Sequence, residues 1–571
     1  MGVLAEMIEP SLFGVLFTMI FYAISVTPSV LPRRWWWHAF VSGILMGLGY
    51  VLGWALQTGG SALLRALDVS ISAPEAVTRT GTYLLIAGVT LWTMRSIWQS
   101  FWASKKAAAL QEMKQVNLVE YLIGLAASFV MFAAVLTVVG LLRGIFNLIV
   151  SFLANWIYRP FALAIALVAV IALVLFISNR VVFRSVMAIF ARKAAALNTT
   201  SADGYARPEV PERSGAHQSL VPWETIGGQG RKFIGKGPSA EMIEDVTGLP
   251  AMEPIRIYAG MPTADTDLEE LAELAVADLK RAGGFQRSLI MVNTATGSGW
   301  VDEWLVQPME YLTRGNCAVV TMQYSYLFSA ALMVSDLSVC VEAGTLLFEK
   351  VAKRVAALPE EERPLVIVGG ESLGAYGSQD LFVDANDLTE RVDGAIWTGS
   401  PQASKLLRRL TKSRHKGSPE VAPVFENGTH IRFVNNPEQL TRDRYGRDLG
   451  PWLFPRAVFA QHASDPVVWF SSDLVFKEPD WIRERAGLDV PDMHFTPVAT
   501  YLQLVADLPV AGTAPAGHGH TYHRELVHIW MYVLGFDFPS ALGRIGETAW
   551  VTEQMRIDIG NAIEVDDQRD P

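Results

Sequence analysis

Leu365-Val366-Ile367-Val368-Gly369-Gly370-Glu371-Ser372-Leu373-Gly374 is the stretch that decides the fold. Its first four residues are apolar and mostly β-branched, which reads as a buried strand, and the Ala375–Phe382 segment after it is compatible with a helix. Between the two lies G-x-S-x-G, at Gly370, Ser372 and Gly374. A serine hydroxyl is a poor nucleophile unless it is exposed beside a base, and a tight strand-to-helix turn exposes it. The crowded backbone of such a turn favours glycine two residues to either side. The rival reading is a glycine-rich turn with an idle serine. The strand before and the helix after favour the nucleophile elbow.

Outward from this turn, apolar runs alternate with helical patterns from Glu253 onward. Strands are expected at Ile255–Ala259, Ser288–Asn293, Ala318–Tyr324, Pro364–Val368, Gly394–Thr398 and Ala457–Gln461. Helices are expected at Asp267–Ala282, which starts acidic, and at Ser335–Leu358, which ends before Pro359. Strands alternating with helices imply a mostly parallel sheet covered on both faces.

A serine in such a turn needs an acid and then a histidine later in the chain. Asp465 follows the strand Ala457–Gln461 and precedes Pro466-Val467, a suitable place for the acid that orients an imidazole. Asp473 and Asp393 are weaker candidates. Gly517-His518-Gly519-His520-Thr521-Tyr522-His523 opens the helix that runs to about Leu534. His518, between two glycines, is the first choice of base and His520 the second. The His-x-His-x-x-His spacing also raises zinc, but no carboxylate or cysteine stands at a supporting spacing, so neither metal nor cofactor is expected. An oxyanion needs two donors. One is expected from the Leu373 N–H and the other from the glycine-rich loop Thr294–Trp300, at Thr296 or Gly297. Tyr324-Ser325-Tyr326 ends the next strand and either lines the pocket or packs the sheet edge.

The first third of the chain has a different character. Pro10–Val26, His38–Leu56, Gly81–Trp98, Val119–Leu142 and Pro160–Ser178 are apolar runs of the kind that cross a bilayer, which takes about 20 residues. The first is no signal peptide, because Glu6 and Glu9 precede it and further spans follow. Ile145–Tyr158 is shorter, with Asn147, Ser151 and Asn155 on one stripe, and is expected to lie in the interface. Trp35, Trp36 and Trp37 stand where an aromatic belt belongs. Arg33, Arg34, Lys105, Lys106, Lys114, Arg180 and Arg184 fall on one side of five spans, which puts that side and the remaining chain in the cytoplasm.

Charge divides the chain at the same place. Residues 1–193 carry 14 Lys and Arg against 6 Asp and Glu, and the remainder carries 33 against 51. The acidic, water-loving part argues against nucleic acid as a partner. With 51% hydrophobic and 18% charged residues the chain is not disordered, and two cysteines exclude a disulfide framework or a cysteine-built metal centre. The expected organisation is a multi-span region over 1–193, a linker over 194–237 rich in Gly, Pro and Ser, and a catalytic domain over 238–571.

Taken together the chain resembles a family of bacterial membrane-embedded α/β-hydrolases. The likeness rests on Thr27-Pro28-Ser29-Val30-Leu31-Pro32-Arg33, Ser219-Leu220-Val221-Pro222-Trp223, Gly228-Gln229-Gly230-Arg231-Lys232-Phe233 and Gly297-Ser298-Gly299-Trp300-Val301-Asp302. It rests further on Gln323-Tyr324-Ser325-Tyr326, Gly370-Glu371-Ser372-Leu373-Gly374, the run Gln461–Trp469 and Gly517-His518-Gly519-His520. The resemblance implies an α/β-hydrolase fold behind a multi-span region and a serine site on Ser372, Asp465 and His518, with His520 in reserve. It implies no substrate. The expected function is a membrane-bound serine hydrolase of an ester, lipid-like or otherwise apolar. An acyltransferase with the same triad is the alternative, and a non-enzymatic binding or transport protein is the second.

Overall fold

In the computed structural model residues 11–68, 74–199, 205–485, 487, 489–490, 492–536 and 551–568 are described. The chain forms two units: Met1–Val186 with Ser472–Val510, and Met187–Ser471 with Ala511–Pro571.

The first unit is helical. It contains α1 (Leu12–Ser25), α2 (Trp35–Ala66), α3 (Glu75–Leu110), α4 (Leu118–Leu153) and α5 (Arg159–Phe176). Side chains cap two of the starts: Ser11 Oγ accepts from Gly14 N–H at 3.0 Å, and Asn117 Oδ1 from Val119 N–H at 2.8 Å. Among the described residues three helices are long and apolar enough to cross a membrane: α2, α4, and α5 with its extension to Val181. The other two expected spans fall on α1, which has 14 residues, and on α3, which is long but carries Arg79, Arg95, Lys105 and Lys106. The expected interfacial segment is not a separate element, because Ile145–Leu153 continues α4 without a break.

Burial in this unit is inverted. Leu84, Val130 and Leu148 are 69, 73 and 71% exposed, whereas Ser42 and Ser128 are wholly buried. Large apolar side chains face outward and small residues face inward, as helices do in lipid. In α2, a Cβ on Gly47 would stand 2.4 Å from Val135 of α4, and one on Gly53 would stand 2.2 Å from the Phe13 carbonyl of α1. Hydroxyls join the helices, as where Ser25 Oγ donates to Ser42 Oγ at 2.8 Å. The helix Ala499–Asp507 packs Ala499, Leu502 and Ala506 against Val41, Leu45 and Trp37. Membrane association follows from these apolar helices.

The second unit is a seven-stranded, wholly parallel sheet. Its strands are β1 (Ile255–Ala259), β2 (Leu289–Asn293), β3 (Cys317–Met322), β4 (Leu365–Glu371), β5 (Gly394–Thr398), β6 (Ile431–Val434) and β7 (Arg456–Ala460), in the order β1-β3-β2-β4-β5-β7-β6. Successive residues feed opposite faces. In β4, Val366 and Val368 join one core layer and Leu365 and Ile367 the other. Both faces are dry, so the strands read as unbroken apolar runs. The helix Leu268–Arg281 begins where expected, with Asp267 Oδ1 accepting from Glu269 N–H at 2.7 Å. The expected linker belongs in part to this unit: Ser214 is buried, and its Oγ accepts the Tyr258 N–H at 3.1 Å. β2 leads to β3 on one side and β4 leads to β5 on the other. The crevice at the carboxyl ends of β2 and β4 is therefore the topological switch point, where open parallel sheets bind ligands.

Candidate active site

β4 ends at Glu371 and the helix Leu373–Gln379 begins two residues later. Ser372 between them has φ 54° and ψ −118°, a region that costs a non-glycine residue energy unless its surroundings hold it there. Its N–H donates to the Thr398 carbonyl at 3.0 Å. The turn packs tightly on the loop after β2: a Cβ on Gly374 would lie 2.1 Å from the Thr294 carbonyl oxygen. The glycines of G-x-S-x-G are thus explained by close backbone approach.

Asp465 follows β7. Its Oδ1 accepts from Val467 N–H at 2.9 Å, capping the short helix Pro466–Trp469. Its Oδ2 accepts from two donors, His520 Nδ1 at 2.6 Å and the Tyr522 hydroxyl at 2.9 Å. A hydrogen on Nδ1 leaves His520 Nε2 as the basic nitrogen, and Nε2 stands 3.6 Å from Glu371 Oε1, next to the serine in sequence. Gly399, just past β5, makes room for the ring. A Cβ there would lie 2.2 Å from His520 Cε1.

Of the two candidate histidines, the structure brings His520 to Asp465. His518, the first choice from sequence, sits in a turn in which its N–H donates to the Pro515 carbonyl and its own carbonyl accepts from Thr521. His523 stacks on Trp304 with ring centroids 4.9 Å apart, away from the His520–Asp465 bond. Among the described residues no cluster of three His, Cys, Asp or Glu side chains gathers to hold a metal. Asp393 lies at the opposite, amino end of β5, where it accepts the Val366 N–H at 2.8 Å. Asp473 belongs to the helical unit.

The glycine-rich loop after β2 flanks the turn, but its N–H groups are engaged. Thr296 N–H donates to the Trp300 carbonyl at 2.9 Å, and Gly297 N–H to the Tyr324 hydroxyl at 3.1 Å. The first bond is the loop's own backbone closure. The second ends on a side chain. Leu373 opens a helix, so its N–H has no intrahelical acceptor.

The histidine loop is pinned from below. Gly519 N–H donates to Ser464 Oγ at 3.0 Å, and His462 N–H donates to the Tyr522 hydroxyl at 3.1 Å. His462 Nδ1 faces the Gly519 carbonyl at 2.9 Å and Nε2 faces Glu525 at 3.2 Å. Both neighbours offer acceptor oxygens, which favours hydrogen on both ring nitrogens. Burial is the largest influence on its pKa and pushes it down, but Glu525 and the Gly519 carbonyl outweigh that and hold it above the usual histidine value. Tyr522 is pushed well above the ordinary tyrosine range by burial, then by Asp465, and so remains a donor.

Tyr522, His462, Gly399, Glu371 and Asp302 were not singled out for roles from sequence. Tyr522 and Glu371 lie inside the quoted motifs, and proximity in chain to His520 and Ser372 was the available signal. His462 and Asp302 also lie inside quoted motifs, and Gly399 carried no signal, because its role depends on which loop ends meet.

Residues 255–541 match the α/β-hydrolase family, and residues 26–238 match that family's N-terminal region. No curated protein and no solved structure matches the chain. The sheet order, the turn after β4 and the two family regions agree, and the chain belongs to the α/β-hydrolase family.

Proposed function

We propose that this is a membrane-bound serine hydrolase that cleaves esters of apolar acyl compounds, with Ser372 as nucleophile, His520 as base and Asp465 as the acid that orients it. The observation that carries the reading is the 2.6 Å bond from His520 Nδ1 to Asp465, beside a serine held at positive φ. Ser372 Oγ bonds to the ester carbonyl carbon as its proton passes to His520 Nε2. The alcohol leaves with that proton, giving the acyl-enzyme. Water then attacks, gives its proton to Nε2, and the acid departs as the proton returns to Ser372. Leu373 N–H is one oxyanion donor. Gly297 N–H is the other, because its present acceptor is a side chain that a substrate oxygen can replace, whereas the acceptor of Thr296 is fixed backbone. Apolar substrate is inferred from the membrane helices, and a cytoplasmic sheet unit at a bacterial inner membrane is inferred from the basic loops of a five-span arrangement.

The test is labelling by a fluorophosphonate in native membranes. Ser372→Ala is expected to abolish labelling, and His520→Ala and Asp465→Asn to slow it by roughly 10⁴-fold. His518→Ala is expected to leave it within about threefold, since a residue away from the reacting groups contributes little. Severe loss in His518→Ala with little loss in His520→Ala reverses the assignment of the base. Undiminished labelling of Ser372→Ala removes the whole reading. Product analysis with an added alcohol separates hydrolysis from acyl transfer.

A further inference from the structure

Glu371 and Asp302 are both buried, at the end of β4 and just before the helix Glu303–Leu312. Asp302 Oδ1 caps that helix by accepting the Trp304 N–H at 3.1 Å. Asp302 Oδ2 is buried and, among the described residues, meets no N–H or hydroxyl donor. The Asp302 and Glu371 carboxyl groups interact with each other in this buried place. Two ionised carboxylates cannot share such a place, so one proton must lie between them. The other edge of Glu371, Oε1, is 3.6 Å from His520 Nε2, the nitrogen that exchanges protons in the proposed reaction.

We propose that Asp302 and Glu371 hold one proton between them and bring their single negative charge beside His520 Nε2 when that nitrogen is protonated, acting as positioning residues for the base. This rests on the serine-hydrolase reading above. When Nε2 takes the Ser372 proton, the shared proton shifts from Glu371 to Asp302. The Glu371 O–H bond breaks, the Asp302 O–H bond forms, and the charge moves onto Glu371 beside the new imidazolium. When Nε2 gives its proton to the leaving group, the shift reverses. No proton leaves the pair, and its net charge stays at one.

The surroundings fit a pair that carries less than its full charge. Glu371 faces Asp302, Asp465, His520 and the Tyr522 hydroxyl, and Asp302 faces Glu371, Glu303 and Asp567. Burial first, and the neighbouring carboxylates second, raise Glu371 well above the usual carboxylate range. Burial likewise pushes Asp302 up to about 7.

The test reads the rate of Ser372 phosphonylation by a fluorophosphonate across roughly pH 5 to 9, where a histidine base titrates. In that reaction the P–O bond forms, the P–F bond breaks, fluoride leaves and the serine proton goes to His520. Glu371→Gln keeps the shape, leaves the charge on distant Asp302 and presents a neutral amide to Nε2. Its plateau rate is expected to fall about tenfold, and its acid fall-off to move to lower pH. Asp302→Asn leaves the charge fixed on Glu371. Its plateau rate is expected within about threefold of the native rate, with the fall-off moved to higher pH. Opposite displacements support the pair, and the direction in either variant alone decides if only one folds. Shifts in the same direction, or loss of rate with no shift, overturn the proposal. Ser372→Ala run alongside keeps the outcomes apart: if it still labels, the serine-hydrolase reading fails first.

Discussion

The two units solve opposite solvent problems with overlapping means. The helical unit exposes Leu84, Val130 and Leu148 and buries Ser25, Ser42 and Ser128. The sheet unit buries Ile257, Val319, Val368 and Ile396. Glycine serves both, differently. In α2 it lets helices touch, as Gly53 does at α1. Beside the sheet it clears space for chemistry, as Gly399 does for His520. The difference shows that residue type alone does not announce whether a position supports packing or a reacting group.

A buried pair of opposite charges from each unit can be compared, and the two behave differently. In the helical unit, outside the spans, Arg33 Nε stands 3.8 Å from Asp507 Oδ1, too long for a hydrogen bond. Burial lowers Arg33 and raises Asp507 to about 6, although Arg33 and the Ser29 hydroxyl pull the carboxylate back. Both partners are pushed toward neutrality. In the sheet unit His462 and Glu525 meet at 3.2 Å, and His462 has a second acceptor in Gly519. There His462 is raised and Glu525 lowered despite burial, so both are held charged. In these two pairs the shorter contact outweighs desolvation and the longer one does not.

The sharpest way to break the glycine comparison is Gly399→Ala. The new Cβ would lie 2.2 Å from His520 Cε1 and 2.6 Å from Nδ1, so the ring must move off Asp465. Labelling is expected to slow by roughly 100-fold, the usual consequence of misplacing a reacting group by about 1 Å. The melting temperature, measured on the same sample, is expected to fall by only a few degrees. Native labelling in this variant would detach His520 from the mechanism.

Much of this architecture was legible because the parallel sheet is covered on both faces. Its strands become short apolar runs, and Leu365–Val368 ahead of the Ser372 turn is the plainest. β6 was harder to see because Ile431-Arg432-Phe433-Val434 is only four residues long and includes a charge, whereas β1 carries Arg256 within a longer run. Arg432 is buried there by donating to the carbonyls of Gly428, Leu440 and Gly450, which sequence does not reveal. His518 and His520 have the same kind of neighbours, so composition could not choose between them. The choice came from the turn that closes Gly517 N–H on the Thr521 carbonyl and from the bond to Asp465. α4 runs on past Leu142 because a helix tolerates a charged residue such as Arg143, which the apolar-run criterion treats as an end. The Gly43-x-x-x-Gly47 and Gly49-x-x-x-Gly53 spacings were in plain view as close-packing signals and were not used.

The charge-pair comparison can be sharpened at Arg33 and Asp507. Removing one partner strands the other, so Asp507→Leu or Arg33→Met alone is expected to cost about 3 kcal/mol. The double variant is expected to recover most of that loss, because an apolar pair needs no compensation. Thermal unfolding in detergent, with the four proteins compared as a cycle, measures the coupling. Additive losses would mean that the two charges do not feel each other.

The smallest expected effect is the pH dependence of His462 and Glu525, where the sign separates the two pairs. His462 is raised when folded, so its contribution is complete below the unfolded value near 6.5 and is lost as pH rises through the folded value. Glu525 is lowered, so its contribution is complete above 4.5 and is lost as pH falls through the folded value. The pair therefore stabilises most between those limits. Asp507 is raised from 3.8 to about 6, so the folded state binds more protons in that interval and its contribution declines with rising pH, ending near pH 6. Above that, His462 and the raised Asp302–Glu371 pair share the alkaline decline. Between roughly pH 6.5 and 8.5 the native protein is expected to lose a few degrees of melting temperature that Glu525→Gln does not lose, because a neutral amide no longer holds the imidazolium. An equal alkaline slope in Glu525→Gln would show that His462 is held charged by something other than Glu525.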